Sequence, residues 1–365
     1  MNNSLAESIL IQIMGWDQEQ ISIERPLIQA LGNLKYDEYQ QFSAGMRFTE
    51  SLVNWLNQFN TVEERNTAYT FIKNQLIFVT SEQVNHLINI CFPEIIDEKL
   101  TSRAAEIMKV PAYYVRKIHN NIVYSHVKRK SLFLGLSDGA KIDQLRRYAN
   151  LDNEQIFSSY YLSPEKIMDL VKELSDSLNT AAKFSSVFLI DDFTASGLSY
   201  IRLTEGKGKI LKFLNLLFAD KKNNETNLSD LIELEELDIH IIFYLATRKA
   251  LEYLYSNIEM WKKVNQKEFS FSVSAVQIIE DATSSGVKNE NEFIDIIKKV
   301  EYFDDKIIDK HYKKGKIEQP YLGFDECALP VVINHNTPNN SLPILWFPPD
   351  MKIAGLFPRV TRHKE

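Results

Sequence analysis

The segment VFLIDDFTASGLS, residues 187–199, is the most informative part of the sequence for the architecture of the chain. Its apolar start, Val187–Ile190, predicts a short buried strand, and two adjacent carboxylates, Asp191 and Asp192, follow directly. A turn of small and hydroxyl-bearing residues comes next, and the pattern predicts that a helix opens there. Ligands of open α/β sheets bind beyond the carboxyl ends of the strands, where helix N-termini favour phosphate. The stretch therefore predicts a phosphate cradle at the edge of a sheet.

The turn supplies the candidate phosphate- and ribose-binding residues, which are Thr194, Ala195, Ser196, Gly197, Leu198 and Ser199. Its hydroxyl groups can donate hydrogen bonds to phosphate oxygens, and Gly197 permits a close approach of the backbone. Asp191 and Asp192 are acceptors, which suit the hydroxyls of a ribose or a water molecule bound to Mg²⁺. We therefore take Asp191 and Asp192 as the catalytic candidates and, through water, as the metal-binding candidates.

Strand patterns alternate with helical patterns on both sides of this stretch. The other strand candidates are residues 131–136, 239–246, 269–276 and 329–333. Short apolar runs separated by segments long enough for crossovers are typical of buried parallel strands. The predicted fold class is α/β, with a parallel sheet flanked by helices in a domain over residues 129–365.

The first 130 residues show a helical pattern almost throughout. Thr61 with Glu64, and Thr80 or Ser81 before Glu82 and Gln83, resemble capping signals at helix starts. Apolar residues recur three and four positions apart, as in Phe48, Leu52, Trp55, Leu56 and Phe59. We expect an all-helical N-terminal domain over residues 1–128.

The composition indicates a chain that is folded nearly throughout. It has 365 residues, of which 44% are apolar and 25% charged, and its net charge of −7 argues against a surface that clamps nucleic acid everywhere. Cys91 and Cys327 lie far apart, without a Cys/His ligand spacing, so neither a disulfide framework nor a zinc site is indicated. The N-terminus lacks a basic start with an apolar core, and no run of 18 apolar residues follows. We expect a cytoplasmic protein that makes no membrane contact.

Residues 187–199 resemble the type I phosphoribosyltransferase signature, an apolar strand followed by two acidic residues and a loop of the form T-G-x-T. Ser196 to Ser199 stand for the threonine-glycine portion and keep hydroxyl donors. Phe193 and Thr194 depart from the usual aliphatic pair, and Leu198 replaces a frequent glycine.

A wider part of the chain resembles the PRTase-CE family, the phosphoribosyltransferase-like effector domains of bacterial conflict systems. The segments that carry the resemblance are SLFLGLSDGAKIDQLRR, VFLIDDFTASGLS and YLGFDECALPVVINHNTPNNSLPILW, between Ser131 and Trp346. The resemblance implies a type I phosphoribosyltransferase fold used in defence against phage. It also implies a phosphoribosyl donor such as phosphoribosyl pyrophosphate (PRPP) bound with Mg²⁺, and protein partners from the same defence operon that bind the helical domain.

Two further loops are candidates for ligand contacts. Ser137, Asp138 and Gly139 follow the first strand, so the loop could contact pyrophosphate through its N–H groups, although a plain turn explains it equally well. Arg147, or its neighbour Arg146, could neutralise phosphates. The candidates for a base or acceptor pocket are His335, Asn336, Asn339 and Asn340, because amide groups offer both donors and acceptors. A Pro/Asn turn is the alternative for that loop.

The stretch YYVRKIHNNIVYSHVKRK, residues 113–130, interleaves tyrosines with basic residues. Its Arg116, Lys117, Lys128, Arg129 and Lys130 could contact nucleic acid, and a solvated helix face is the alternative.

Other interpretations of the twin acids stay open at this point. A response-regulator receiver also has an acidic pair after a strand, yet here no Lys ends a later strand candidate. Asp191 and Asp192 could also merely cap a helix. For function, we weigh an enzyme that acts on a phosphoribosyl donor against an inactive module that senses a nucleotide or ribose phosphate. The departures at Phe193, Thr194 and Leu198 motivate the second hypothesis.

Overall fold

The computed structural model describes residues 3–220 and 226–360. The elements before the main sheet are largely helical: α1 (Asn3–Met14), α2 (Gln18–Leu34), α3 (Phe48–Asn57), α4 (Val62–Gln75), β1 (Ile77–Val79), α5 (Ser81–Cys91), a π-helical turn (Phe92–Ile96), α6 (Asp97–Met108), α7 (Val115–His119) and α8 (Ile122–Arg129). Strands and helices then alternate: β2 (Ser131–Gly135), α9 (Ile142–Ala149), β3 (Ile156–Phe157), α10 (Pro164–Leu178), β4 (Ser186–Thr194), α11 (Lys209–Leu217), α12 (Leu228–Leu231), β5 (Asp238–Thr247), α13 (Arg248–Asn265) and β6 (Ser270–Ile279). The last elements are α14 (Asp281–Asn289), α15 (Asn291–Ile297), β7 (Val331–Ile333) and α16 (Pro343–Trp346).

The chain divides into two compact units. Unit 2 is continuous, Asn85–Ile279, whereas unit 1 combines Met1–Val84 with Glu280–Glu365. This division follows contacts within the folded chain. The boundary that the change of pattern predicts between residues 128 and 129 stays a prediction.

Unit 2 is built on a parallel sheet of five strands in the order β3-β2-β4-β5-β6. The register aligns Ser131 with Ser186, Ser186 with Asp238, and Asp238 with Ser270. Helices cover the sheet, so β2 and the apolar part of β4 are buried on both faces and read as continuous apolar runs. The predicted fold class is confirmed: it is α/β, with a parallel sheet that is flanked by helices and follows a helical N-terminal region in the sequence.

The two faces of this sheet have separate cores. Val187 and Leu189 belong to a large buried cluster with residues of α10, α11 and α13. On the opposite face the Phe133 and Phe188 rings stack at 4.7 Å, and His240 packs against Phe188. Because side chains alternate along a strand, Asp191 continues the first face of β4 and Asp192 the second.

Unit 1 confirms the helix signals of the N-terminal region. The Thr61 hydroxyl accepts a hydrogen bond from the Glu64 N–H at 3.1 Å, where α4 begins. Thr80 and Gln83 bond each other reciprocally before α5. The predicted apolar face of α3 is buried: Phe48, Leu52, Trp55 and Leu56, with Phe59 just beyond it. No helix in the described ranges is long and apolar enough to cross a membrane.

The prediction that residues 329–333 join the main sheet is wrong. β7 pairs in parallel with β1 in a separate two-stranded sheet of unit 1, aligning Ile77 with Val331. The pattern identified an extended apolar run, but it carries no information about which partner strand lies beside it. The β1 partner itself is only three residues long and falls inside a region with a helical pattern.

Candidate functional site

The strand order of unit 2 reverses direction between β2 and β4. The chain passes from β2 outward to β3, then returns to β4 on the other side of β2 and continues to β5 and β6. Ligands of doubly wound sheets bind at such a reversal, beyond the carboxyl ends of the strands. Ser137 follows β2 and Asp191 lies near the end of β4, so the sequence-predicted loops flank this point.

Asp191 is fully buried and is surrounded by donors. Its Oδ1 accepts hydrogen bonds from the Ser137 hydroxyl and, at 3.1 Å, from the Asp192 N–H. Its Oδ2 accepts from the Tyr200 hydroxyl at 2.8 Å and from the Lys209 ammonium at 2.7 Å. Asp191 therefore ties the end of β4 to the loop after β2 and to the start of α11.

Opposing influences act on the charge of this group. Burial raises the pKa of the Asp191 carboxyl, and the charge of Asp192 adds to the rise, while Lys209 and the Ser137 hydrogen bond oppose it. Burial also raises the pKa of the Tyr200 hydroxyl well above its ordinary value, so that hydroxyl stays a donor. Lys209 is one-third exposed, and its Nζ lies 5.0 Å from the centroid of the Tyr200 ring. The hydroxyl, amide and ammonium donors around Asp191 are those that suit a charged carboxylate.

Asp192 projects from the other face of β4 and is half-buried. Its Oδ1 accepts the Phe193 N–H at 2.8 Å. A Cβ placed on Gly139 would lie 2.5 Å from Asp192 Oδ2, which is closer than real Cβ atoms come. The Asp192 carboxylate thus sits directly against the loop that follows β2, and glycine at position 139 makes the space for it.

The loop after β2 is held in place by a residue of β5, the strand beyond β4 in the sheet. The Tyr244 hydroxyl donates a hydrogen bond of 2.7 Å to the Ala140 carbonyl, and burial raises the pKa of this hydroxyl well above its ordinary value. Asp138 is exposed at the tip of the loop. Arg147 is exposed on α9, where its Nε donates to the Asp143 carbonyl, and Arg146 contacts Asn153. Both arginines therefore lie on the helix that follows the loop, not in the loop itself.

The turn of residues 194–199 is stabilised mainly by its own side chains. The buried Thr194 hydroxyl accepts the Gly197 N–H at 3.3 Å, and the Thr247 hydroxyl donates 2.6 Å to the Ala195 carbonyl. Ser196 is buried, Leu198 is half-buried and Ser199 is exposed. Gly197 has a φ of +76°, and a Cβ there would lie 2.7 Å from the Tyr253 ring of α13. The close approach that Gly197 permits is therefore an approach to a helix.

The prediction that a helix opens directly after this turn is wrong. The chain bends at Tyr200, forms a bridge between Arg202 and Lys207, and enters α11 only at Lys209. The Tyr200 hydroxyl reaches back to Asp191 and to the Phe193 carbonyl, which fixes the direction of the chain away from a helical path. The anion donors of this turn are consequently hydroxyl and backbone groups without a helix N-terminus behind them.

Gly208 ends the irregular loop of residues 201–207. Its φ is +132°, and a Cβ there would lie 2.2 Å from the Tyr200 carbonyl oxygen, so only glycine lets the two chain segments meet. The Lys209 N–H then donates 3.2 Å to the Ser199 carbonyl. This closure brings the Lys209 side chain to Asp191. Sequence reasoning missed Tyr200, Lys209 and Thr247, and the closely spaced glycines at 206 and 208 were the available signal of a non-helical loop.

The loop that carries His335, Asn336, Asn339 and Asn340 belongs to unit 1 and follows β7. Asn340 is buried, and its Nδ2 donates to the Phe324 carbonyl at 3.1 Å and to Cys327 Sγ at 3.3 Å. The His335 carbonyl accepts from Gln41 Nε2 at 2.8 Å. Asn340 therefore has a structural task, and a base or acceptor pocket at these four residues stays a prediction.

The donor set bears on how Mg²⁺ could bind. Mg²⁺ prefers oxygen ligands and is commonly held by one or two carboxylates together with the phosphates of a substrate. Across residues 3–220 and 226–360, no group of three or more His, Cys, Asp or Glu side chains could hold a metal ion. Lys209 and Tyr200 engage Asp191, which leaves Asp192 as the carboxylate nearer to solvent. Asp192 is therefore the carboxylate that could hold Mg²⁺, through water, if the ion bound together with a phosphorylated ligand.

A family model with the description PRTase-CE matches residues 52–359, which is most of the chain. Comparison with curated proteins and with solved structures gave no match. The matched range includes β1, the whole parallel sheet and β7. It therefore contains every candidate site residue described above.

Proposed function

Because the chain belongs to the PRTase-CE family and carries its phosphoribosyltransferase-like domain, we propose that it binds a ribose 5-phosphate donor such as PRPP at the reversal between β2 and β4. The site serves an effector of a bacterial anti-phage defence system. The phosphoribosyl group goes to a nucleotide, nucleic-acid or protein target, or the same chemistry cleaves such a target. Partners from the same operon bind through the helical N-terminal region.

One observation carries this proposal: the Asp192 carboxylate lies against Gly139. The contact brings the acidic end of β4 and the loop after β2 to one place. A sugar phosphate with a pyrophosphate leaving group needs acceptors for its ribose hydroxyls beside donors for its phosphates. The adjacent loops supply both within the reach of one ligand.

The reaction assigns a task to each segment. The bond between ribose C1 and the pyrophosphate oxygen breaks, and pyrophosphate departs with the electron pair. A nucleophile of the acceptor forms the new bond to C1 and loses its proton. Asp192 binds the ribose hydroxyls, the turn of residues 194–199 holds the 5-phosphate, and the N–H groups at Ser137 to Gly139 meet the departing pyrophosphate. Holding donor and acceptor in line lowers the barrier.

Asp191 acts as a positioning residue in this scheme. Its oxygens accept from Ser137, Tyr200 and Lys209, and it has no exposed surface. It fixes the loop of Ser137 relative to β4, and so sets the distance between the two halves of the ligand site. Mg²⁺, when bound with the donor, would supply positive charge that stabilises the pyrophosphate.

Calorimetric titration of PRPP in the presence of Mg²⁺ tests the proposal. Wild type binds, and Asp192→Asn weakens binding by about 10- to 100-fold because a hydrogen bond to a charged acceptor is lost. Asp176→Asn on α10 is the matched control, since that aspartate is exposed and distant in sequence from both loops. Equal affinities of wild type and Asp192→Asn would reject the proposed site.

A second candidate function is a sensor that binds the same ligand without turnover. The engagement of Asp191 by Lys209 and Tyr200 favours it, because one of the two signature acids is occupied within the protein. Incubation with PRPP, Mg²⁺ and a panel of nucleobases, nucleotides and RNA separates the two functions. Release of pyrophosphate by wild type and its loss in Asp192→Asn establish the enzyme, whereas binding without any product establishes the sensor.

A further inference from the structure

A surface groove of about 700 Å³ opens in unit 2, away from both candidate loops in sequence. It lies at the turn between α6 and α7 and along α7, and it is lined by Tyr113, Tyr114, Val115, Arg116, Lys117 and Asn120. The segment is internal to one unit, so the groove is defined by local structure.

Aromatic side chains form the exposed wall of this groove. Tyr113 is 75% exposed and Tyr114 is 47% exposed. Their rings meet edge to face at 4.8 Å, and both residues keep surface that is exposed to solvent. Aromatic side chains are usually buried, and a cluster of them outside a core marks a binding surface. The exposed Ile107 and Ile122 flank the pair in sequence.

The sequence segment that contains the groove carries charged residues of one sign. Residues 107–137 contain six lysines and arginines and no aspartate or glutamate, within a chain of net charge −7. Two of the six are committed to internal contacts: Lys128 donates to the Ala149 carbonyl, and Arg129 lies 3.6 Å from Asp152. Arg116 and Lys117 are exposed on α7 and line the groove. The complementary partner is an anion.

Local contacts anchor the backbone that carries these groups. Ile118 is completely buried and anchors α7. The Tyr114 N–H donates to the Pro111 carbonyl at 3.1 Å, and the Lys117 N–H donates to the Tyr114 carbonyl at 2.9 Å. At the end of α7, His119 bonds the Thr101 hydroxyl at 2.8 Å. A surface arranged in advance loses less conformational entropy when it binds.

We propose that this groove binds single-stranded nucleic acid, with bases stacked on Tyr113 and Tyr114 and phosphates paired with Arg116 and Lys117. Exposed aromatic rings beside cationic side chains are the combination that binds single strands, because every base offers a face for stacking. A duplex hides those faces within its own stack. The Asn120 amide, at the end of the groove, offers a donor and an acceptor to a base edge. A membrane surface fits less well, since α7 has only five residues and presents its charges next to its apolar side chains.

Fluorescence anisotropy with labelled oligouridylate and oligothymidylate of about 10 nucleotides tests this surface. Wild type binds at low salt, and the RNA and DNA arms show which sugar is preferred. Tyr113→Ala weakens binding by about 5- to 150-fold because one stacking contact is lost, while Tyr113→Phe keeps the affinity. Arg116→Ala with Lys117→Ala reduces the slope of log K against log salt by about 1.4, since two phosphate contacts disappear.

Matched changes elsewhere serve as controls. Tyr161→Ala removes another exposed tyrosine, and Lys263→Ala with Lys288→Ala removes the same charge from exposed helix positions. Both controls should bind as wild type does. Failure of wild type to bind either oligonucleotide at about 50 mM salt overturns the proposal. So does binding that Tyr113→Ala leaves unchanged, or binding to anionic lipid vesicles in preference to both oligonucleotides.

Discussion

Lys209 Nζ lies 2.7 Å from Asp191 Oδ2, and the two residues are 18 positions apart along the chain. The pair closes the loop that begins at the turn of residues 194–199 and ends at Gly208. Among the described residues, Lys209 is the only cation that forms a hydrogen bond with the Asp191 carboxylate. Without Lys209, this buried carboxylate keeps only hydroxyl and amide donors. The ion pair therefore links the stability of unit 2 to the shape of the candidate site.

Lys209→Met should lower the free energy of unfolding by about 3 kcal/mol, because removal of one partner leaves a buried charge uncompensated. The value is at the lower end for such pairs since Lys209 is one-third exposed. Urea denaturation measures it, with Lys212→Met, an exposed lysine of the same helix, as the control. Equal losses in both variants would mean that the ion pair contributes nothing.

The same variant should depend on pH in a defined direction. Burial raises the pKa of Asp191 in the folded chain, and loss of the Lys209 charge removes an influence that lowers it. A carboxyl with a raised folded pKa binds its proton more tightly when folded, so its contribution to stability is present at acid pH and lost as pH rises through that pKa. Lys209→Met should therefore lose more stability, relative to wild type, at about pH 7 than at about pH 5. A difference that is constant across this interval would argue against the assignment.

Gly139→Ala should displace the Asp192 carboxylate, because the added methyl group would lie 2.5 Å from its Oδ2. The side chain can swing away, so the expected loss of stability is only about 1 kcal/mol. PRPP binding, if Asp192 contacts the ribose, should fall at least as far as in Asp192→Asn. Gly286→Ala in α14 has ordinary space around its added Cβ and provides the control for both measurements.

Thr247→Val should loosen the turn of residues 194–199. The Thr247 hydroxyl donates to the Ala195 carbonyl and accepts the Ala250 N–H at 3.1 Å, as the N-cap of α13. Loss of the cap costs about 1–2 kcal/mol, measured by urea denaturation. Thr61→Val removes the cap of α4 in unit 1 and should lose similar stability without altering the affinity for PRPP. If both variants bind PRPP as wild type does, the turn makes no contact with the ligand.

His240 should account for part of the acid sensitivity of unit 2. Burial lowers the pKa of its imidazole from about 6.5 to about 4, and Lys99 adds to the shift. The unfolded chain takes up a proton before the folded chain does, so stability falls as pH decreases through this interval, by up to roughly 3 kcal/mol. His240→Asn keeps a polar group for Ser272, which lies 2.9 Å from Nδ1, but cannot titrate. Its stability should fall less steeply between pH 6.5 and 4 than that of wild type, and an equally steep fall would contradict the assignment.

The parts of the fold that could be predicted are those fixed by local pattern. β4 reads as a continuous apolar run because both of its faces are covered, and the caps at Thr61 and Thr80 lie within three residues of their partners. The contact of Gly139 with Asp192 was not predicted, although the sequence analysis placed both residues just after strand candidates. Neighbouring parallel strands end at one edge of a sheet, so loops after both strands must come close.

The parts that could not be predicted depend on contacts between distant residues. The sequence pattern predicted a helix directly after the turn, near Tyr200. The hydrogen bond from the Tyr200 hydroxyl to Asp191, which no local pattern indicates, explains why the chain turns away. Lys209 reaches the same carboxylate through an irregular loop whose path no periodic pattern describes. The parallel pairing of Ile77 with Val331 likewise joins two segments whose sequences give no indication that they pair.

That pairing also has a consequence for biosynthesis. β7 cannot reach β1 until residue 333 has left the ribosome, whereas the sheet of unit 2 is complete at residue 279. Domains tend to fold as units while the chain is being made. The nascent polypeptide therefore passes through a stage in which the parallel sheet of unit 2 is assembled. At that stage, the N-terminal helices of unit 1 still lack the C-terminal residues that complete their unit. A ribosome that stalls between these two points would hold a chain in which the sheet that carries Asp191 and Asp192 is complete and unit 1 is not.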